Sequence, residues 1–456
     1  MKFNVSILKL IDHEADFVNF NGDEEFDFLD IAKINSNPLI DNNVLYFCVY
    51  DNEPELEGWY NEVFDRGKEI KNKIETYKNW SYVIDHGTLK EIENNSVKLI
   101  VVNDIIGFAK SIFHYVLTQV DPQIVAITGS VGKTTATALL EDVISTKYSS
   151  LRVYTKRITP LTLFSYIVNC LEYFHEVVVL EMSLYRKHHV FELAKLITPN
   201  IAVLLNIKNM HIGVKTINSL KDIFEGKIQI IQPNTKAVIN KADDYLLTIN
   251  YNVAITYSAN VNINADIMLI SSQYNKVLVS VFDRIIELTL YIPTRLFIEQ
   301  SLVALAVCQL MKIDLKMAVE KISNFSPKEN RIRKIIIVNK PVYLDADVTH
   351  SARLLEMSDN YSNNSYLIIH HVDFNLENPQ YLCEDFYRCF KRFTKVIIND
   401  KEWNRKKLSA ITMPENVIWK KKEKMLEHIE DNSFIVYHYS MFFKKNHSIE
   451  EIQNLE

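Results

Sequence analysis

The chain has 456 residues, of which 48% are hydrophobic and 24% charged, and its formal net charge is −6. That length exceeds one ordinary core and implies two to four domains, while the charge excludes the basic footprint of a nucleic-acid or anionic-membrane binder. No apolar run is long enough to cross a bilayer and the N-terminus has no signal-peptide apolar core, so the expectation is a cytoplasmic chain without membrane insertion.

Residues 1 to about 118 alternate strand-like and helix-like pieces. Val44–Val49, Trp80–Ile84 and Val97–Val102 read as buried strands, while Tyr60–Tyr77 and Ile105–Leu117 read as helices. This is a small α/β domain with no catalytic constellation of its own, and Asp85-His86-Gly87 reads as a surface turn. The next segment, 119–325, opens on Thr128-Gly129-Ser130-Val131-Gly132-Lys133-Thr134-Thr135. An apolar strand, Ile124–Ile127, feeds this glycine-bearing turn, and a helix-compatible stretch, Thr135–Ser145, follows. That order aims backbone N–H groups and the positive end of a helix dipole at one point, the arrangement that cradles phosphate. Lys133 is placed to reach the β- and γ-phosphates, and the Thr134 hydroxyl to ligate Mg²⁺. The strict G-x-x-x-x-G-K-[ST] spacing fails, because Ile127 stands five before Gly132. The variant is tighter.

Further along, Val177–Leu180 reads as a strand ending in Glu181, and Ile201–Leu205 as one ending at Asn206. In an open parallel sheet, ligands sit beyond the carboxyl ends of strands, so Glu181 and the segment Asn206–His211 are expected at the edge of the phosphate turn. Taken alone, Glu181 reads equally as a solvated strand-end acid or a Mg²⁺ ligand. His211 alone reads as a surface histidine, and Lys227, in a helical stretch Leu220–Ile231, as a solvated lysine.

From about 326 the pattern resets. Ile335–Val338 and Pro341–Asp345 read as a hairpin or paired strands, followed by a helix from Ala352 and strand Tyr366–His370. Helix Leu382–Phe393 and strands Lys395–Ile398 and Phe434–Tyr437 complete a third α/β layer. The run Lys420-Lys421-Lys422 reads as a solvated helix start. His370-His371-x-Asp373 mimics a metal cluster, but a strand end with one inward histidine is the expectation. Five scattered cysteines (Cys48, Cys170, Cys308, Cys383, Cys389), without C-x-x-C spacing, predict free thiols. All nine glycines lie at or before Gly226, so later turns needing left-handed backbone must use another residue, asparagine foremost.

Together these residues resemble the Mur ligases, the ATP-dependent amide-forming enzymes of peptidoglycan precursor synthesis. The carrying motifs are Thr128–Thr135, Glu181-Met182-Ser183, Asn206-Ile207 with His211, Phe224-Glu225-Gly226-Lys227 and Asn240 with Asp243-Asp244. Asn330-Arg331 and Asp347-Val348-Thr349-His350-Ser351 follow, the latter similar to the element opening the family's third domain. The N-terminal domain is similar to those of the ligases that add the third residue or the D-alanyl-D-alanine dipeptide.

The resemblance implies three domains, 1–118 for substrate, 119–325 for ATP on a central P-loop sheet, and 326–456 with a Rossmann-like fold. It implies that a carboxylate attacks the γ-phosphate of ATP and that an amine then displaces phosphate. Thr128, Gly129, Ser130, Val131, Gly132, Lys133, Thr134 and Thr135 would hold the nucleotide, helped by Asn240, Arg331 and Asp347. Thr134 and Glu181 would hold one Mg²⁺, and Glu181, His211 and Lys227 would serve a second. Lys133, His211 and Lys227 carry the catalytic roles, with Lys227 as N6-carboxylysine. The implied partners are a carboxylate, possibly UDP-linked, and an amino acid or peptide amine, acted on by a monomer.

Departures concentrate in substrate reading. The element framing adenine is Pro293-Thr294-Arg295-Leu296-Phe297, which predicts that Leu296 and Phe297 hold the base by apolar contact. Asn399-Asp400-Lys401-Glu402-Trp403 replaces D-N-P-R, His438-Tyr439-Ser440 replaces K-G-S, and Asn35-Ser36-Asn37 lacks the uridine-linked arginine. The reading is a divergent ATP-dependent ligase; its rival is a non-catalytic nucleotide-binding relative with a scaffold role.

Overall fold

The structure is a computed structural model, and it describes residues 2–32, 43–50, 59, 70–92, 96–155, 157–210, 212–213, 216–273, 275–291, 294–326, 332–337, 340–345, 349–357, 364–374, 383–427, 429–430 and 433–439. The chain forms two compact units: residues 1–125, 148–183 and 192–198, and residues 126–147, 184–191 and 199–456.

The first unit holds a sheet ordered Asp16–Val18, Lys98–Val102, Ser81–Asp85, Val44–Phe47, Phe28–Asp30. Its last four strands run parallel, and Asp16–Val18 is antiparallel to its neighbour. Val44–Phe47 is buried at every position, as expected of a parallel sheet covered on both faces. Helix Ile105–Val120 starts at Asp104, whose carboxylate accepts from Gly107 N at 2.8 Å, and ends at Asp121 in left-handed backbone (φ 50°). In the same unit Ser150–Val153 pairs in parallel with Val177–Glu181.

Strand Gln123–Thr128 runs from the first unit into the second. There the sheet continues from it through Ile201–Leu204, Lys236–Asn240, Val253–Ser258, Ile267–Gln273 and Lys276–Val281 to Arg284–Thr289. Pairing is parallel from Ile201–Leu204 to Ile267–Gln273 and antiparallel beyond it. A further sheet in this unit is ordered Ile332–Ile337, Lys340–Asp345, Phe434–Tyr439, Ser365–His371, Lys395–Asn399, Val417–Lys420. The first pair is an antiparallel hairpin and the rest is parallel. The last described strand, Phe434–Tyr439, inserts between Lys340–Asp345 and Ser365–His371.

Two local expectations are corrected. Asp85-His86-Gly87 is not a surface turn: Asp85 caps a short helix, His86–Leu89, by accepting from Thr88 N at 2.6 Å. The lysine run does not open an α-helix, since Lys420 ends a strand and Lys422–Lys424 form a single 3-10 turn. Of the expected helix Tyr60–Tyr77, the described part is Ile70–Thr76, and 60–69 lie outside the described residues. The five cysteines are free thiols. Beyond Gly226, left-handed backbone falls on Asn234 (φ 68°) and Asn252 (φ 55°), as the glycine distribution predicts, but also on Phe282, Asp283 and Lys312, so asparagine carries only part of that load.

Candidate functional site

The site is built on the turn between strand Gln123–Thr128 and helix Lys133–Ile144. Gly132 is the N-cap of that helix, at φ 88°, and contributes no side-chain cap. A Cβ there would lie 2.8 Å from both Leu296 Cδ1 and Gln300 Nε2, and Gln300 Nε2 donates to the Gly132 carbonyl at 2.9 Å. At Gly129 a Cβ would lie 2.7 Å from Leu205 Cβ. Both glycines are therefore fixed by close approach, and the first by its left-handed backbone as well. A glycine cap leaves the helix entrance uncovered by a side chain, which suits an incoming anion.

The segment following strand Ile201–Leu204 shapes the turn from behind. Val131 N donates to Asn206 Oδ1 at 2.9 Å, and Asn206 Nδ2 donates to Val131 O at 3.2 Å. Ser130 N donates to Asn206 O at 3.0 Å, and Lys208 N donates to Ser130 Oγ at 2.9 Å. A second tier braces this segment: Asn240 Nδ2 donates to Leu205 O at 2.9 Å, and Ile207 N to Asp243 Oδ2 at 2.7 Å. Asn240, expected at the nucleotide, is buried and holds the strand ends in register.

Two cations meet on one carbonyl. Lys133 Nζ donates to Gly129 O at 2.9 Å and to Ser130 O at 3.3 Å. Lys227 Nζ donates to the same Gly129 O at 2.9 Å, with the residue only 4% exposed. Lys133 therefore folds back over the turn. Lys227 is a buried lysine and not a solvated one, because helix Leu220–Lys227 ends on it and a 3-10 turn, Ile228–Ile230, follows. Positive charge gathered on a glycine turn favours a bound polyanion.

Thr128, Thr134 and Thr135 are buried around the turn. Glu181 is half-buried at the carboxyl end of strand Val177–Glu181, in the first unit. His211, Arg331 and Asp347 lie outside the described residues. Among the described residues no three His, Cys, Asp or Glu side chains form a metal-binding group. Leu296 and Phe297 do not wait for a base. Leu296 packs with Val131 and Met210, and Phe297 stacks on Phe325 at 5.8 Å, so both are spent in the core. The helix they begin, Arg295–Leu310, is buried over most of its length, which pulls its first turn inward.

One polar network has no counterpart in the sequence reading. Asp345, ending strand Lys340–Asp345, accepts from Arg353 Nε at 2.8 Å and Nη2 at 2.6 Å. Its other oxygen bonds His438 Nδ1 at 2.8 Å, and His438 Nε2 bonds Thr349 Oγ1 at 2.8 Å. Burial raises the Asp345 pKa, but the Arg353 charge and the His438 hydrogen bond outweigh it and hold the carboxyl down at about 2. The only signal in the sequence was a polar residue at or near the end of each of two apolar strands, Asp345 and His438. At the same edge His371 is inward, stacked on Trp403 at 5.5 Å, as expected of a strand-end histidine.

A glycine-capped twelve-residue helix, two ammonium groups and the Thr134 hydroxyl fit a triphosphate and a hard cation that takes most of its ligands from phosphate and water.

Residues 127–308 match the family model described as Mur ligase middle domain. Over 271 residues the chain is 23% identical to a UDP-N-acetylmuramoyl-tripeptide--D-alanyl-D-alanine ligase of Rickettsia prowazekii (strain Madrid E), covering 56% of this chain and 59% of that protein's length. The matched stretch thus spans little more than half of that relative. A crystal structure of MurF from Acinetobacter baumannii is similar with a TM-score of 0.77 at 13% identity, over 100% of this chain and 99% of that one. MurF from Thermotoga maritima in complex with ADP is similar with a TM-score of 0.70 at 16% identity, over 88% and 92%. At such identities the structural likeness establishes the fold.

Proposed function

We propose that this chain, a relative of the Mur ligases through its middle domain, is an ATP-dependent ligase that joins a carboxylate to the amine of an amino acid or short peptide. The observation that carries the reading is the convergence of Lys133 and Lys227 on the Gly129 carbonyl beside an uncapped helix entrance. A triphosphate entering there would take Lys133 from its two carbonyl acceptors and offset the charge of both lysines.

The substrate carboxylate oxygen attacks the γ-phosphorus, the bond to the β-γ bridging oxygen breaks, and ADP leaves. The amine then adds to the acyl carbon, loses a proton, and expels phosphate. Little covalent work falls to the protein, so its contribution is positioning and charge neutralisation. Magnesium would neutralise the phosphate oxygens, held by Thr134, with Glu181, His211 and Lys227 as the further ligands that the family resemblance implies. Arg331 and Asp347 are proposed for the phosphates and ribose.

The curated relative is named for a UDP-N-acetylmuramoyl-tripeptide and D-alanyl-D-alanine, so a UDP-muramoyl peptide is the first carboxylate to test. Small-molecule partners, a monomer, a cytoplasmic location and three domains (1–118, 119–325, 326–456) complete the proposal. The test is ADP release against a panel of carboxylate and amine pairs, headed by UDP-muramoyl-tripeptide with D-alanyl-D-alanine. Release that needs both partners is expected. Nucleotide binding with no release for any pair would favour the scaffold role.

A further inference from the structure

We propose that His438 is a positioning residue for the nucleotide site, a staple that joins the two flanks of segment 346–348 and so fixes helix Ser351–Glu356 against the phosphate turn. The inference rests on the ligase reading for its kinetic readout, and on geometry for the rest.

Asp345 precedes the segment and Thr349 follows it. One imidazole bonds both, through Nδ1 to Asp345 Oδ2 at 2.8 Å and through Nε2 to Thr349 Oγ1 at 2.8 Å. A carboxylate only accepts, so Nδ1 donates to Asp345, and Nε2 shares the second hydrogen bond with the Thr349 hydroxyl. That hydroxyl also accepts from Asp373 N at 3.0 Å, while Thr349 N donates to Asp373 O at 2.7 Å. The Arg353 and Asp345 charges oppose each other and the polar atoms of Asp345, His438 and Thr349 are hydrogen-bonded, the condition under which a buried ionic network is tolerated.

The order threonine, histidine, aspartate imitates a nucleophile relay. Burial excludes that use: Asp345, Thr349 and His438 are each 0% exposed, so no substrate reaches the hydroxyl. What the network controls is a helix. Arg353 sits on Ser351–Glu356 and Thr349 just before it, and Ala352 on the same helix packs against Val131 of the phosphate turn with Met210 and Leu296. Fixing that helix therefore fixes an apolar brace on the turn that receives the triphosphate.

The test compares the full-length chain with Thr349→Val, which keeps the shape and removes the hydroxyl, and with Thr349→Ser, which keeps it. His438→Asn makes the same cut from the other side, retaining a short donor toward Asp345. We expect Thr349→Val and His438→Asn to speed amide hydrogen exchange in residues 349–357 about tenfold or more. They should also raise KM for ATP several-fold while kcat changes less, and Thr349→Ser should restore both. A lower melting temperature with unchanged local exchange and unchanged KM would overturn the proposal, as would failure of the serine variant to rescue. Should the wild-type chain release no ADP with any substrate pair, the ligase reading falls. The exchange comparison, with ATP affinity measured by calorimetry, would then decide the staple by itself.

Discussion

Asn206 and Val131 exchange two hydrogen bonds, side-chain amide to backbone peptide, at 2.9 and 3.2 Å. Both residues are buried, so the clasp cannot be replaced by water without rearrangement. Asn206→Ala strands the Val131 N–H and C=O, a loss of about 1–3 kcal/mol, and frees the turn whose shape receives phosphate. Asn206→Asp keeps the acceptor but sets a carboxylate oxygen against the Val131 carbonyl and adds negative charge beside the triphosphate. The expected order of ATP affinity is wild type, then alanine, then aspartate. Calorimetric titration with Mg-ATP checks it, and wild-type affinity in the alanine variant would contradict it.

Lys133→Ala should abolish Mg-ATP binding while leaving the unfolding curve near that of the wild type. The lysine bonds two carbonyls of its own turn, at 2.9 and 3.3 Å, and lies only partly buried. Removing it costs little packing, yet it removes the ammonium that the β- and γ-phosphates require. Retained ATP affinity in this variant would show that the triphosphate sits elsewhere.

His371 gives the chain an acid limb. Burial pushes its pKa down to about 4 against the opposing pull of Asp373, with Lys401, His438 and Lys407 lowering it further. Because the unfolded ring titrates near 6.5, the unfolded state binds the proton first as pH falls. Stability is full above the unfolded value and declines toward pH 4, by about 3 kcal/mol. His371→Phe keeps a ring on Trp403 and removes the proton. Its denaturant midpoint should therefore vary less between pH 7 and pH 4 than that of the wild type.

Where the sequence is locally decisive, it was legible. The strand, the two glycines and the lysine of the phosphate turn announce themselves, because close backbone approach and left-handed geometry admit few residue types. The parallel strands are also plain, since burial on both faces leaves apolar runs. Two things were hidden for physical reasons. Asn206 shows only that a polar residue ends a strand, and its role depends on a turn more than seventy positions earlier. Asp345 and His438 lie on strands that become neighbours only because the last described strand inserts into the sheet. Leu296 and Phe297 misled for the opposite reason. They stand in the element that frames adenine in the resembled family, but the burial of their helix turns them inward.

The last prediction concerns Lys227. Its ammonium is buried and donates to Gly129 O at 2.9 Å, sharing that acceptor with Lys133. A divalent cation bound at this turn would meet an ammonium where the resembled ligases place an oxygen ligand. Carbamylation would resolve the conflict, because the adduct would keep one N–H for Gly129 O and turn the charge into anionic oxygen ligands suited to a hard cation. The adduct forms from dissolved CO₂ and an unprotonated amine, so activity should fall on CO₂ depletion at mildly acid pH and return with bicarbonate. Lys227→Ala should lose most activity and regain part of it with small carboxylates that enter the vacated space. Lys227→Met, which fills the space without a charge or an oxygen, should lose activity and resist that rescue. Intact-mass measurement under bicarbonate reads the 44 Da adduct that CO₂ addition requires by its own mass, about one per chain. An unmodified lysine together with full activity of Lys227→Ala would remove the residue from the metal site and leave it a structural prop of the phosphate turn.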